Sequence, residues 1–136
     1  MNKLYLGILI CLVAVAVVGG LLVAGGPGYA RMEKEDRARG DHLHELGRYY
    51  ACTVDGQERV QKGCSGMAQM PAAPEPTQEA EYLFARTGET AFEVCTSFKT
   101  DWVKSSGYYG SDIYFDGQRG CIRYKRAALD GDWVPQ

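Results

Sequence analysis

Four cysteines, Cys52, Cys64, Cys95 and Cys121, are the residues in this chain whose type and spacing promise chemistry. A fifth, Cys11, lies inside an uncharged apolar run and reads as a free thiol. An even set in a small exported domain predicts two disulfides, for which three pairings exist. A metal reading fits less well. Cys52 and Cys64 have eleven residues between them and no third ligand nearby, and the chain contains no CxxC or HExxH. His42 and His44 sit two apart, so on a helix they point about 200° from each other and cannot share an ion. They read as exposed histidines beside a leucine stripe. Asp130-Gly131-Asp132 lacks the other oxygen ligands of a calcium hand and reads as a plain turn. Serine, histidine and aspartate occur without a nucleophile elbow, and there is no P-loop, GxGxxG or CxxCH. The expectation is no catalytic residue, no metal and no cofactor.

What the cysteines mean depends on the compartment, and Leu4 to Ala24 decides that. These 21 residues carry no charge. As a helix they would span about 31 Å, close to the roughly 30 Å hydrocarbon core of a bilayer. In lipid the backbone must bond to itself, so a helix is expected. Gly25, Gly26, Pro27 and Gly28 then break the pattern. The organisation expected is a short N-terminus at 1–3, a signal anchor at 4–26 and one exported domain at 27–136. Cleavage near Gly28-Tyr29-Ala30 is the alternative, but the run exceeds the usual 7–15 residues of a signal core. Charge gives a conflicting orientation: Lys3 precedes the run, whereas Arg31, Lys34, Arg37 and Arg39 follow it. The cysteines argue for an oxidising space, and export is the expectation. Gly7, Cys11 and Ala14 read as ordinary lipid-facing small residues.

Beyond Ala30 stand 14 basic and 17 acidic residues, net −3. That balance gives no basic patch and excludes a nucleic-acid partner on charge grounds. About 106 residues suffice for one small domain. Arg31 to Ala51 reads as a helix, kinked near Gly40, with alternating charges on a solvated face and Leu43, Leu46 and Tyr50 as its apolar stripe. The Cys52–Cys64 loop carries turn pairs at Asp55-Gly56 and Lys62-Gly63. Ser65 to Ala80 holds Pro71, Pro74 and Pro76 and reads as an extended surface spacer.

Tyr82–Arg86 and Ala91–Phe98 then form a hairpin about Thr87-Gly88-Glu89. Period two puts Phe92, Val94 and Phe98 on one face and Glu93, Cys95, Ser97 and Lys99 on the other. Thr100 to Gly110 reads as a long connection. A second hairpin joins Asp112–Phe115 to Gly120–Arg126 about Asp116-Gly117-Gln118-Arg119. There Ile122 and Tyr124 share one parity, and Cys121, Arg123 and Lys125 the other. Cys95 and Cys121 thus both lie opposite the large apolar residues, and a cross-strand bridge suits them if the strands are neighbours. The pairing expected is Cys52–Cys64 and Cys95–Cys121.

The order of parts is similar to the type IV pilin and pseudopilin architecture: a transmembrane helix, a leucine-striped helix, a loop and a small disulfide-bearing antiparallel sheet. More closely, the chain resembles uncharacterised single-pass bacterial envelope proteins. The matching residues are Asp36, Arg39, Leu43, Leu46, Tyr49 and Tyr50, then Phe92-Glu93-Val94-Cys95-Thr96-Ser97-Phe98, then Gly120-Cys121. The prepilin cut site, a glycine with a glutamate five residues on and an apolar run after it, is not met: Leu12 stands at that offset from Gly7 and Gly25 from Gly20, and Glu33 stands at it from Gly28 but no apolar tract follows. The Cys52/Cys64 pair is additional to the pattern.

The resemblance implies an α+β fold and a place in the bacterial inner membrane, single-pass, with the C-terminal domain in the periplasm. It also implies a non-enzymatic accessory or assembly subunit of a membrane complex. The partners expected are the membrane through residues 4–26, an envelope protein and a further copy of the chain. A secreted binding module, released by cleavage near Ala30, is the alternative. Its contact surfaces would be Gly107–Gly110 and the proline loop.

Overall fold

The computed structural model describes residues 2–23, 26–54, 64, 67, 69–127 and 131–136. The chain divides into two units, Met1–Met32 and Glu33–Gln136. In the first, helix α1 covers Asn2–Val23, and its side chains from Lys3 onward are exposed. By length and composition it can cross a membrane.

Helix α2 covers Gly26–Thr53 and begins five residues before the expected start. The glycine and proline cluster opens this helix as well as interrupting the apolar pattern. Gly26 takes φ +67°, a conformation glycine adopts freely. Pro27 follows in the first turn, where its missing N–H would have no partner anyway.

In the second unit, α2 lies on an antiparallel sheet. Its strands are β1 (Tyr82–Gly88), β2 (Ala91–Ser97), β3 (Tyr114–Asp116), β4 (Arg119–Lys125) and β5 (Val134–Pro135). The order is β1-β2-β4-β3, with β5 also on β4. β3 pairs with residues 119–121 of β4 and β5 with 124–125. The first arm runs two residues beyond the expected Arg86, with a register irregularity between Arg86 and Gly88. Its turn therefore falls at Glu89-Thr90. In the second hairpin Gly117 takes φ +61°, which suits the first position of a two-residue loop.

Three segments differ from expectation. Thr100 to Gly110 contains a short helix α3, Trp102–Ser106, closed by Gly107 at φ +63°. The proline segment folds into a 3-10 turn at Glu75–Thr77, and Thr77 is fully buried. The tail forms β5 instead of only a turn, which carries Trp133 into the core. Asp130, Asp55-Gly56 and Lys62-Gly63 lie outside the described residues.

The core is Leu43 and Leu46 of α2 against Phe92, Val94, Phe98, Ile122 and Tyr124, closed by Val103, Ile113 and Trp133. The Phe92 ring stacks on Tyr124 at 5.0 Å and meets Trp133 edge-on at 4.8 Å. Gly47 is where Tyr124 presses on the helix: a Cβ there would stand 2.7 Å from the ring. The glycine weakens the isolated helix by about 1 kcal/mol relative to alanine, and here it admits the sheet.

The two disulfides join Cys52 to Cys64 and Cys95 to Cys121. Cys95 and Cys121 stand directly opposite each other on β2 and β4, with Cα atoms 4.0 Å apart. By register they share the outer face with Leu83 and Tyr114. The first bridge ties the end of α2 to Cys64.

Candidate functional site

The side of α2 that meets the sheet is apolar at Leu43 and Leu46 but polar one turn earlier. Asp36 and Arg39 are buried there, which corrects the expectation of a wholly solvated charged face. Arg39 Nη1 donates to Asp36 Oδ1 at 2.9 Å. The Lys99 amide donates to both Asp36 oxygens, at 2.9 and 3.0 Å. The Thr100 amide and hydroxyl each donate to Oδ2 at 2.7 Å. One carboxylate thus receives the chain as it leaves β2 and satisfies two backbone donors that the sheet leaves unbonded. A buried charge is tolerable only with such a partner set. At the rim, Lys99 Nζ pairs with Glu35 at 2.8 Å.

The next turns of α2 present Asp41, His44, Glu45 and Arg48 on one side, at i, i+3, i+4 and i+7. The chain after α3 brings Tyr108, Tyr109 and Asp112 against them, enclosing an open groove of about 570 Å³. Gly40 sets this contact, because a Cβ there would lie 2.5 Å from the Tyr109 ring. The Tyr109 hydroxyl lies 2.7 Å from the Arg37 carbonyl and 2.8 Å from Asp41 Oδ1, both acceptors. Burial, followed by the bond to Asp41, pushes its pKa far above the usual phenol range. His44 stacks on the same ring at 5.2 Å, and Arg37 lies 4.5 Å from the Trp102 ring centre and 5.5 Å from that of Tyr108.

The histidines are not exposed, contrary to expectation. His42 is buried and meets Tyr82 edge-on at 4.8 Å, while His44 is half-buried on Tyr109. They belong to different contacts. Burial lowers both pKa values, opposed for His42 by Glu45 and for His44 by Asp112 and Asp41. Burial thus favours the neutral form of both rings. Among the described residues no serine or thiol hydrogen-bonds to either ring. The groove is lined by the carboxylates of Asp41, Glu45 and Asp112 together with Arg48, and no serine or cysteine is among its described lining residues.

One further cluster, Glu93 with Cys95 and Cys121, brings its ligand atoms within 4.8 Å of one another. The two sulfurs are bonded to each other and cannot act as thiolate ligands. Glu93 instead accepts from Tyr114 and Arg123 on the outer face.

Asp36 and Arg39 are visible in the sequence as an i, i+3 pair. Their partners Lys99 and Thr100 stand more than sixty residues away and leave no local signal. The same holds for Tyr109 and Asp41. No protein-family model, curated protein or solved structure matches this chain.

Proposed function

We propose that this chain is a non-enzymatic, membrane-anchored envelope protein of pilin-like build, acting as an accessory or assembly subunit of a membrane complex. Helix α1 is its anchor in the bacterial inner membrane, and Glu33–Gln136 is its periplasmic domain. One observation carries the reading: an apolar helix of membrane length, uncharged from Leu4 onward, precedes a leucine-striped helix laid on an antiparallel sheet that holds a cross-strand disulfide. Two disulfides in a small domain suit an oxidising compartment. Gly28, Tyr29 and Ala30 lie within α2, which supports an anchor left uncut, since a peptidase needs extended chain.

The first test is the intact mass of protein extracted from membranes without reductant. The full-length mass less four hydrogens is expected. A mass beginning near Arg31 would replace the anchored subunit with a secreted module. Full-length protein with every thiol free would place the domain in the cytoplasm. Cross-linking in whole cells should then recover envelope proteins, and recovery of none would remove the assembly role.

A further inference from the structure

The β1 strand is an edge of the sheet, and its backbone polarity can be read from its neighbours. Two bonds continue the β2–β4 ladder beyond its ends: the Phe98 amide donates to the Gln118 carbonyl at 2.9 Å, and the Arg126 amide to the Thr90 carbonyl at 3.1 Å. Bonded and non-bonded pairs alternate in an antiparallel ladder. Phe92, Val94 and Thr96 are therefore bonded to β4, and Glu93 and Cys95 to β1. It follows that Leu83 and Ala85 direct their backbone groups to β2. Tyr82 and Phe84 direct theirs away from the sheet, and they have no backbone partner among the described residues.

Edge strands are usually blunted by proline, charged side chains (lysine above all) or an early bulge. Tyr82–Ala85 has none of these: the one charge, Arg86, stands at the end of the regular stretch, and the register irregularity comes only after it. Of the exposed side chains in the regular stretch, Leu83 and Phe84 are apolar, 44% and 37% accessible, and Arg86 at its end is charged.

We infer that β1 pairs antiparallel with β1 of a second copy across a twofold axis, extending the sheet through both molecules. The stretch is complementary to itself. A twofold axis normal to the sheet keeps each residue opposite one of the same face. The register centred on Phe84 pairs the whole of Tyr82–Arg86. Leu83 then lies opposite Ala85 of the second copy, and Tyr82 opposite its Arg86. The first pair covers apolar surface. In the second, the Arg86 guanidinium, which donates to the Gly88 and Glu89 carbonyls, stands at the end of the stretch. The two arginines fall at opposite ends of the paired stretch, about 13 Å apart, so no like charges meet. A twofold interface of this kind closes at two copies. The inference rests on Glu33–Gln136 alone and stands whichever compartment that unit occupies.

The test is residue-resolved amide exchange on the full chain in detergent micelles, at low and high protein concentration, with the mass followed by light scattering. As the mass doubles, the Tyr82 and Phe84 amides should slow at least tenfold. The Ala85 amide, bonded within the sheet, should be protected throughout. Leu83→Lys changes an exposed side chain and should restore fast exchange at Tyr82 and Phe84 with the fold intact. Fast exchange at both amides in a species of doubled mass would mean association elsewhere, for instance through α1, and would overturn the inference. So would slow exchange in the monomer, which would mean that the chain covers its own edge. Protection that appears only on adding envelope extract would assign the edge to a foreign strand and equally overturn it.

Discussion

The Asp36 carboxylate, on the second helix, and the Thr100 amide and hydroxyl, just beyond β2, meet at 2.7 Å across 64 residues of sequence. With Arg39 and the Lys99 amide, they make a polar joint inside the domain in which both Asp36 oxygens accept hydrogen bonds. The joint fixes where β2 ends relative to α2, and so where α3 and the groove residues after it begin.

Asp36→Ala should destabilise the domain strongly. It leaves Arg39 and two backbone amides buried without their acceptor, at a cost of about 3–5 kcal/mol. Asp36→Asn keeps the volume and one acceptor oxygen and should cost less. Urea unfolding with both disulfides intact, compared at constant m-value, measures the difference.

Gly40→Ala separates helix propensity from packing. Propensity alone favours alanine by about 1 kcal/mol. The Tyr109 ring would lie 2.5 Å from the new Cβ and must move, losing its contacts with Asp41 and the Arg37 carbonyl. A net loss of about 1–3 kcal/mol is expected from overpacking. A thermal melt showing Gly40→Ala equal to or above the parent would place the ring elsewhere.

Acidification should weaken the fold through the histidines. Both have lowered folded pKa values because burial disfavours the charged ring. The unfolded chain binds protons near pH 6.5 while the folded chain still resists them. Their contribution is thus complete above about pH 6.5 and declines as pH falls toward the folded values. Unfolding free energy measured from pH 7 to 5 should fall, and His42→Gln with His44→Gln should flatten that slope. An unchanged slope in the double variant would assign the pH dependence to carboxylates.

Removing either disulfide should cost about 3 kcal/mol by the loop-entropy argument, slightly more for the longer loop closed by Cys95–Cys121. Cys95 is fully buried, so Cys95→Ala with Cys121→Ala also leaves a small void. Differential scanning of the two double variants should rank the Cys95–Cys121 loss as the more damaging.

Much of the framework was legible because it is periodic or local. The uncharged stretch from Leu4 has one plausible structure in lipid, and period two separated Phe92 and Val94 from Cys95 before any strand pairing was known. Turn chemistry placed both hairpins to within about two residues. Tail strand β5 was not legible, because two residues around Pro135 carry no pattern of their own. They pair only because β4 offers an unfilled edge beyond β3.

By itself, then, the sequence determined the two long helical segments, the two hairpins and the faces of their strands, all set by side-chain period and backbone sterics, but not α3, the 3-10 turn or β5. Only tertiary structure decided that Asp36 is buried, that His42 and His44 lie against different tyrosines, and that Tyr109 closes a groove over Gly40. Those contacts join residues from about 40 to about 70 positions apart. No local pattern encodes them, because each is favourable only once the sheet has removed both partners from water.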